Sequence, residues 1–456
     1  MSLVSRNPYT GEVIKEFEPM SLRECVQEIQ KSRKAFRYWE KTPVRERTGY
    51  FRAVSQRLRE QQRAFAEMIT REMGKPIGQS LAEIEKCAWL LDHFAENAAK
   101  FLEEEPVKTD ALRSYVAFEP LGIILGIMPW NFPFWQVFRF AVPALAAGNV
   151  CLLKHASNVP LTALAIEKLF QDSGLPPYVF KTLLVDSGAT MQLVEQELVD
   201  GVSLTGSVEA GSQIASLAGR RIKKFVLELG GSDPFIVLED ADIPKTARMA
   251  LQARMINSGQ SCIAAKRFIV MADIAAPFME ALQREIHTVR IGDPMDAATT
   301  IGPLAKRELV EVLSGQLEDA ERKGARIVYG PAPPSGEGFF FRPAIVSGVR
   351  EEMRLLREEV FGPVMPVLSA RTEEDLVETA NASPYGLGAS IWTRDLARGE
   401  KLAREQRAGF VAINDMVKSD PRLPFGGIKK SGIGRELSHY GLKEFVNIKS
   451  VVIHGA

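Results

Sequence analysis

The spacing of hydrophobic and polar positions changes along the chain. Residues 21–104 have the spacing of amphipathic helices with many exposed charges, which predicts a helical N-terminal segment. From about residue 121 to residue 229, short apolar runs alternate with amphipathic helical segments. The runs are Leu121–Met128, Val150–Leu153, Phe180–Val185, Gly201–Thr205 and Phe225–Leu229. Such alternation is typical of right-handed βαβ crossovers and predicts a parallel, doubly wound sheet.

A second series of apolar runs predicts a second α/β domain. It consists of Pro234–Leu238, Arg267–Val270, Val364–Leu368, Ala389–Trp392 and Phe410–Ile413. Gly230 and Gly231 lie between the two series and permit a sharp change of backbone direction. Two extended segments, Val107–Phe118 and Phe445–His454, belong to neither series. Separated edge strands of this kind often pair with each other or with another subunit.

Composition narrows the class of protein. The 57 basic residues balance 57 acidic residues, which argues against nucleic acid or an anionic membrane as the main partner. The four cysteines are widely spaced, which favours a reducing compartment, the cytoplasm, over a disulfide framework. The five histidines lack metal-ligand spacing, so no metal site is expected. Arg139 is the only charge from Pro120 to Leu153, but prolines and asparagines interrupt this stretch. We therefore expect buried strand, loop and helix there and no membrane span.

Cys262 is the first candidate for chemistry. It lies in the sequence Asn-Ser-Gly-Gln-Ser-Cys-Ile-Ala-Ala, which predicts a loop that leads into a helix. A thiol at a helix N-terminus has a lowered pKa, and its thiolate is a nucleophile. A lone cysteine is also often a buried structural residue. The residue by itself does not decide between these two interpretations.

Two polar residues fall at predicted strand ends. Glu228 ends an apolar run 34 residues before Cys262. Ligands bind at the carboxyl ends of strands in open α/β sheets, where a carboxylate with a raised pKa acts as a general base. The alternative is that Glu228 is only an exposed acid at a strand end. Asn131, in the loop after the first run, offers an amide N–H to an oxyanion or only forms a turn. Its neighbour Trp130 is either a core residue or the wall of a dry pocket.

Two further motifs are less specific. Gly206 and Ser207 follow an apolar run and open a helical segment, whose N-terminus would hold a pyrophosphate. Their spacing is not that of the dinucleotide motif GxGxxG. The segment Glu358–Pro363 reads EEVFGP and has no generic mechanism, and its pattern predicts a loop.

In this order and spacing, the motifs resemble the aldehyde dehydrogenase superfamily over nearly the whole chain. The matching segments are NPYTGEV, PWNFP, LTGS, LELGG, NSGQSC, EEVFGP and PFGGIKKSGIGRE. The resemblance is closest to the succinate-semialdehyde branch, in MITREMGKPI, MPWNFPFWQV, LLKHA, LELGGSDPFIVL and GRELSHYG. It implies an α/β fold of three parts. These are a Rossmann-like cofactor domain (1–106 and 120–229), a catalytic domain (230–430) and a small bridging β element (107–119 and 431–456) that forms homodimers or homotetramers.

The resemblance also implies roles for individual residues. Cys262 matches the nucleophile, Glu228 the general base, and Asn131 the amide that binds the oxyanion together with the Cys262 backbone N–H. Lys154 and Ser157 fall at the adenosine ribose, Gly206 and Ser207 at the pyrophosphate, and Glu359 at the nicotinamide ribose. The full set of implied cofactor residues is Trp130, Lys154, Ser157, Gly206, Ser207, Leu229, Glu359 and Phe361.

These roles imply an aldehyde oxidation with NAD or NADP. The Cys262 thiolate attacks the aldehyde, hydride leaves to the nicotinamide, and water activated by Glu228 releases the acid from the resulting thioester. Release to coenzyme A is one alternative, and a water-activating base argues against it. A non-catalytic structural relative is another, although it would be expected to lack Cys262 or Glu228. A serine hydrolase is disfavoured because the chain has no GxSxG motif.

The expected substrate is a short aldehyde with a carboxylate, succinic semialdehyde first of all. A buried Arg139 needs an anion, and in the succinate-semialdehyde branch an arginine at this position binds the substrate carboxylate. The alternative is a structural ion pair with a carboxylate of the protein. Many members of that branch carry a second arginine where this chain has Ile256. The missing contact is then expected from Lys418, Ser419 or Arg422.

The expected cofactor preference is NADP over NAD. Relatives specific for NAD commonly carry glutamate at the position of Ser157, and that carboxylate repels a 2′-phosphate. Ser157 is neutral, and Lys154 would pair with the phosphate as a point charge. The alternative is that Ser157 only caps the next helix, predicted over Pro160–Gln171, and that NAD binds.

Overall fold

The N-terminal part of the chain is a hairpin followed by four helices. The computed structural model describes residues 3–455. Strands β1 (Leu3–Arg6) and β2 (Val13–Phe17) pair antiparallel. The helices are α1 (Leu22–Trp39), α2 (Val44–Glu60), α3 (Gln62–Met73) and α4 (Ile77–Phe101). Helix α1 begins with a capping box in which Ser21 and Glu24 bind each other's backbone N–H, and α3 ends at Gly74, whose φ is +77°.

The first large sheet has six strands in the order β17-β9-β8-β5-β6-β7, in which β17 is the short strand Gly432–Ile433. Five are parallel: β5 (Ile123–Met128), β6 (Val150–His155), β7 (Phe180–Thr182), β8 (Gly201–Thr205) and β9 (Lys224–Glu228). The helices between them are α5 (Trp135–Ala146), α6 (Pro160–Asp172), α7 (Ser187–Glu195) and α8 (Val208–Arg220). The central strands are almost entirely buried because helices cover both faces.

The second large sheet has seven strands in the order β12-β13-β14-β11-β10-β15-β16. Their bounds are β10 (Asp233–Val237), β11 (Ala265–Met271), β12 (Arg326–Tyr329), β13 (Ala344–Ser347), β14 (Val364–Ala370), β15 (Gly388–Trp392) and β16 (Phe410–Ile413). The associated helices are α9 (Ile243–Met255), a 3₁₀ turn (Ile256–Gly259), α10 (Ala272–Ile286), α11 (Arg307–Arg322), α12 (Arg354–Arg357), α13 (Glu373–Asn381) and α14 (Leu396–Glu405). All neighbours are parallel except β12 and β13.

The C-terminal part of the chain completes two sheets. After a 3₁₀ turn (Lys429–Ser431), β17 (Gly432–Ile433) pairs antiparallel with β9 of the first sheet. Helix α15 (Ser438–Lys443) follows, and β18 (Val446–Ile453) pairs antiparallel with β4 (Arg113–Pro120). The short β3 (Glu105–Pro106) joins β4 on its other side. The two extended segments that the sequence left outside both domains therefore pair with each other.

The sheet topology confirms the predicted α/β class. Every predicted apolar run coincides with a strand, to within a few residues at its ends. The sequence pattern missed β12 and β13, which form the outer part of the second sheet. In residues 3–455, no helix is both long and apolar enough to cross a membrane.

Candidate active site

Two cavities meet at Cys262. One, with a volume of about 190 Å³, is lined by Cys262 and by residues of α4, α5 and the loop before Phe425. The other, of about 210 Å³, is lined by Cys262 together with Trp130, Asn131, Gly206, Ser207, Leu229, Glu359 and Phe361. We call the first the substrate cavity and the second the cofactor cavity. Gln136 also lines both cavities, so two ligands bound in them would meet at the thiol.

The expected helix after Cys262 is wrong. The residues after it form a turn and then strand β11, so no helix dipole acts on the thiol. Burial instead raises the pKa of Cys262 to about 12, and the nearby Glu228 and Glu359 carboxylates raise it further, against Arg139 and Lys266. The other three cysteines are fully buried. Because its pKa is raised, the Cys262 thiol keeps its proton until a base or a forming bond removes it.

The loop before Cys262 has a strained backbone. Asn257 and Ser258 have φ of 52° and 55°, in the left-handed region that non-glycine residues rarely adopt. Both side chains are buried, and Asn257 Nδ2 donates to the carbonyl of Asn131 at 2.7 Å. A Cβ on Gly259 would lie 2.4 Å from the backbone of Gly362. The NSGQSC and EEVFGP motifs are thus packed backbone to backbone, which fixes the position of the nucleophile.

Asn131 lies in the loop between β5 and α5, beside the nucleophile. Its side chain is buried, and Nδ2 donates one hydrogen bond, of 3.1 Å, to the carbonyl of Gln260. An amide nitrogen has two N–H groups, so one remains available. The backbone N–H of Cys262 donates to no atom among the residues that the structure describes. Two donors near the thiol are therefore free to bind an oxyanion.

Glu228 ends β9 and is fully buried. Burial raises the pKa of its carboxyl group to about 8, against the effect of Arg139, while Glu436 raises it further. Its Oε2 lies 3.7 Å from a guanidinium nitrogen of Arg139. Glu228 is not among the described residues that line either cavity. It lies close enough to Cys262 to raise the pKa of the thiol.

The C-terminal motif covers Glu228 from behind. A Cβ on Gly426 would lie 2.8 Å from Glu228 Oε1, and Gly432 pairs with Glu228 across β17 and β9. Ser431 donates through its hydroxyl to the carbonyl of Gly230 at 2.7 Å. The close approaches at Gly426 and Gly432 leave no room for a side chain, so the PFGGIKKSG motif packs against the LELGG motif through glycine.

Glu359 of the EEVFGP motif is held at the edge of the cofactor cavity. Its Oε1 accepts from Gly231 N at 3.1 Å and pairs with Lys266 Nζ at 3.0 Å. A Cβ on Gly230 would lie 2.7 Å from Glu359 Oε2. Phe361 meets Trp130 edge to face, with ring centroids 5.8 Å apart. The loop therefore presents a carboxylate and an aromatic wall to the same cavity.

Gly206 and Ser207 connect β8 to α8, as the pattern predicted. The Ser207 hydroxyl caps the helix by accepting from Ala210 N. Gly206 and Ser207 line the cofactor cavity, so the N-terminus of α8, with its unpaired backbone N–H groups and the positive end of the helix dipole, begins at that cavity. A pyrophosphate fits this set of donors.

Neither Lys154 nor Ser157 is among the residues that line the cofactor cavity. Lys154 is a buried residue of β6, and burial lowers its pKa, as does the nearby Lys306, while Asp186 raises it. Ser157 is exposed, and its carbonyl accepts from Val4 N at 3.2 Å. Helix α6 begins after Val159 without a side-chain cap. The alternative in which Ser157 caps that helix is therefore wrong.

Arg139 lies on α5 and lines the substrate cavity, yet protein carboxylates already surround it. Its guanidinium forms an ion pair with Glu436 and lies 3.7 Å from Glu228. It also donates to Thr205 Oγ1 at 3.3 Å and lies 4.8 Å from the centre of the Phe425 ring. The structural ion pair, which was the alternative interpretation of Arg139, is present.

The structure separates the other substrate candidates. Ser419 and Lys418 line the substrate cavity, as does Ile256. Arg422 does not belong to that lining, and its guanidinium pairs with Asp420 at 2.6 Å. Lys86 of α4, which the sequence motifs did not indicate, also lines the cavity and donates to Ser419 Oγ at 2.7 Å. No sequence signal indicated Lys86, because the packing of α4 in the fold decides which of its side chains face the cavity.

Glu83 itself holds the oxyanion loop. Its carboxylate accepts from Phe134 N at 2.9 Å and from Trp135 N at 3.0 Å, which caps the start of α5. The other oxygen pairs with the buried Lys75. The position of Asn131, three residues before Phe134, therefore depends on an ion pair that the sequence pattern did not reveal.

Comparison with known proteins agrees with this geometry. The model of the aldehyde dehydrogenase family matches residues 2–451. A probable NADP-dependent succinate-semialdehyde dehydrogenase of Synechocystis sp. is 45% identical over 453 residues, covering 99% of this chain and 100% of the relative. An NADP-dependent succinate-semialdehyde dehydrogenase of Mycobacterium avium is 42% identical, covering 99% of this chain and 97% of the relative.

Solved structures agree as well. The succinic semialdehyde dehydrogenase of Streptococcus pyogenes in complex with NADP⁺ superimposes with a TM-score of 0.97 at 35% identity, covering 99% of this chain and 100% of that chain. The resemblance that the motifs indicated is thereby confirmed over the full length. The chain belongs to the aldehyde dehydrogenase family.

Proposed function

We propose that this protein oxidises succinic semialdehyde to succinate through a thioester on Cys262, with NADP favoured over NAD as the hydride acceptor. The observation that carries the proposal is the junction of the two cavities at Cys262. A thiol there contacts an aldehyde from one side and a nicotinamide from the other. The names of the relatives support the choice of aldehyde and of cofactor.

Acylation uses groups on both sides of the thiol. Cys262 Sγ bonds to the aldehyde carbon as its proton passes to water, since burial keeps the thiol protonated before the attack. The oxygen of the adduct becomes an oxyanion where Asn131 and the Cys262 backbone N–H are available. Each such donor contributes about 3–4 kcal/mol to the transition state. The strained Asn257–Gly259 loop holds this arrangement.

The residues of the cofactor cavity fit a nicotinamide dinucleotide. The α8 N-terminus with Gly206 and Ser207 suits the pyrophosphate. Glu359 suits the hydroxyls of the nicotinamide ribose, with Trp130, Leu229 and Phe361 as walls. When bound, the nicotinamide supplies the hydride acceptor. Loss of a hydride to that acceptor would convert the adduct on Cys262 into a thioester.

Deacylation depends on Glu228. Its carboxylate takes a proton from water, the oxygen of that water bonds to the thioester carbon, and the C–S bond breaks to release the acid. Because the pKa of Glu228 is raised to about 8, the carboxyl group is a strong enough base once deprotonated. Arg139 keeps that pKa from rising further.

Steady-state kinetics with a panel of aldehydes test the proposal. Succinic semialdehyde, butanal and betaine aldehyde are each measured with NADP and with NAD, with and without coenzyme A. We expect the highest kcat/KM for succinic semialdehyde with NADP, and no dependence on coenzyme A. A higher kcat/KM for butanal, or turnover that requires coenzyme A, would contradict the proposal.

We further propose that the protein is a homodimer or homotetramer. The segments 107–119 and 431–456 form the proposed bridging element, and Ile448, Val452 and Ile453 on β18 are exposed. Exposed apolar residues on a strand indicate a partner surface. The other two proposed domains are 1–106 with 120–229 for the cofactor, and 230–430 for catalysis. Light scattering coupled to size exclusion tests the oligomer, and a monomer at micromolar concentration would contradict it.

We also propose that the protein acts in the cytoplasm. Its four cysteines are all free, and free thiols persist in a reducing compartment. Fractionation of the host cell tests this, with recovery of the activity outside the cytoplasmic fraction as the contrary result.

A further inference from the structure

Lys86 places an amine in the substrate cavity. It belongs to α4, and its side chain is half-buried. Nζ donates to Ser419 Oγ at 2.7 Å and lies 4.3 Å from the centre of the Trp135 ring. An ammonium group has three N–H donors, so the serine and the ring leave part of its hydrogen-bonding capacity unused.

The cations near this cavity differ in their counter-ions. Arg139 pairs with Glu436, Lys418 with Asp415 at 2.8 Å, and Arg422 with Asp420 at 2.6 Å. Within residues 3–455, Lys86 has no carboxylate within 4.0 Å. Of these four cations, Lys86 is therefore the one that has no carboxylate partner among the described residues.

The surroundings make that charge costly. Burial lowers the pKa of Lys86 to about 8, and Arg139 lowers it further, while Cys87, Glu83 and Asp420 raise it less. Glu83 is already bound to Lys75, and Asp420 to Arg422. A cation held in such a place is stabilised by an anion that enters the cavity.

We propose that Lys86 Nζ and the Ser419 hydroxyl bind the remote carboxylate of the substrate, and that Lys86 determines specificity for an aldehyde that carries one. This inference rests on the proposed function, because it concerns the substrate of the same site. The sequence offered Lys418, Ser419 or Arg422 for the contact that an arginine at position 256 would make. We assign that contact to Lys86 together with Ser419. Arg139 already forms an ion pair with Glu436 and lies 3.7 Å from Glu228.

The test compares two aldehydes of equal length in two variants. Lys86→Met removes the charge and keeps most of the side-chain volume. Lys100→Met is the matched control, because Lys100 is exposed on the last turn of the same helix. Initial rates are measured with succinic semialdehyde and with butanal, which lacks the carboxylate. The variants are compared by KM and kcat separately.

We expect Lys86→Met to lower kcat/KM for succinic semialdehyde by about 10- to 100-fold, the range for losing a hydrogen bond to a charged group. The loss should fall mainly on KM, and kcat/KM for butanal should fall by less than about twofold, a change of under 0.5 kcal/mol. Lys100→Met should resemble the wild type with both aldehydes. Equal losses for both aldehydes in Lys86→Met, or no loss for either, would overturn the inference.

A binding measurement separates this inference from the proposed function. Succinate is titrated into the protein by calorimetry, with the same two variants. Binding to the wild type and to Lys100→Met, but about tenfold weaker binding to Lys86→Met, supports the anion subsite even if succinic semialdehyde proves a poor substrate. Equal binding to all three proteins, or none to the wild type, overturns the subsite whatever the substrate is.

Discussion

The cofactor cavity and the substrate cavity share Cys262 but are built in different ways. The cofactor cavity is formed by loops at the carboxyl ends of strands, namely those after β5, β8 and β9, together with the Glu359 loop. The substrate cavity is formed by the sides of α4 and α5 and by the loop that contains Ser419. Strand ends place a few backbone groups at fixed positions, whereas helix faces present side chains that differ in size and charge.

Because of this difference, we expect the residues that carry the reaction and the residues that select the aldehyde to be separate groups. Close contacts, such as that of the Gly230 backbone with the Glu359 carboxylate, leave the cofactor cavity little room for change. The substrate cavity has apolar walls such as Phe132 and Trp135, with Lys86 among them. We therefore expect variants at Cys262 and Glu228 to abolish turnover of every aldehyde. Variants in the wall of one cavity should change the preference for one ligand.

The largest effect is expected at the junction itself. Cys262→Ala removes the nucleophile, so dehydrogenase activity should fall by on the order of 10⁴-fold or more while the cofactor still binds. Cys151→Ala is the control, because Cys151 is buried in β6 away from both cavities. Activity is measured by NADPH absorbance and binding by fluorescence quenching. Loss of activity in the control and not in Cys262→Ala would remove the basis of the comparison.

Glu228→Gln should separate the two half-reactions. Loss of a general base costs about 10²- to 10⁴-fold in the step that needs it, and hydrolysis of the thioester is that step. We expect a burst of about one NADPH per active site, followed by slow turnover. Stopped-flow absorbance measures both phases. Equal slowing of burst and steady state would mean that Glu228 is also required to deprotonate Cys262.

The wild type should show the corresponding pH dependence. The active form of Glu228 is the deprotonated one, and its pKa is raised to about 8. Deacylation should therefore increase as the pH rises through about 8 and then level off. In Glu228→Gln this increase should be absent from the steady-state rate.

Ser157→Glu addresses the cofactor side alone. A carboxylate at position 157 would repel the 2′-phosphate of NADP. Repulsion between two neighbouring like charges changes affinity by about 10- to 100-fold. The kcat/KM ratio of NADP to NAD should fall by that factor, with NAD nearly unchanged. Ser157→Gln, which adds similar bulk without charge, is the control. An unchanged ratio in Ser157→Glu would refute this account of cofactor preference.

Much of the cofactor cavity could be predicted from the sequence, and less of the substrate cavity. Gly206 and Ser207 lie in a short motif whose helix start is encoded locally, so their position follows from the chain order of strands. Glu359 lies in a loop without such a signal, and only the family resemblance assigned its role. Lys86 lies in the middle of a 25-residue helix, where only the tertiary packing of α4 against α5 decides which side chains face the cavity. The helix expected after Cys262 was wrong for a similar reason, because pairing of β11 with β10 and β14 overrides the local pattern.

Arg139→Gln distinguishes two roles of Arg139, an effect on the pKa of Glu228 and direct binding of the substrate carboxylate. Arg139 lowers the pKa of Glu228, so its removal should shift that pKa upward and the pH dependence of turnover to higher pH. At pH 7 we expect turnover to fall, by about tenfold for each unit by which that pKa rises, with succinic semialdehyde and butanal affected alike. The pH profile of kcat with both aldehydes is the measurement. A loss confined to succinic semialdehyde would instead identify Arg139 as the ligand of the substrate carboxylate.

The smallest effect is expected for Arg422→Ala. Its guanidinium binds Asp420 through two nitrogens, at 2.9 and 2.6 Å, and the side chain is exposed. An exposed ion pair contributes about 0–1 kcal/mol. Removal of Arg422 would leave the Asp420 carboxylate, which acts on Lys86, without its partner, so Asp420 would compete with the substrate for Lys86. We therefore expect KM for succinic semialdehyde to rise by no more than about threefold, under 1 kcal/mol, with kcat unchanged. In Arg422→Ala combined with Asp420→Asn, KM should return toward the wild-type value. A tenfold rise in KM that the second substitution does not reverse would place Arg422 itself in contact with the substrate carboxylate.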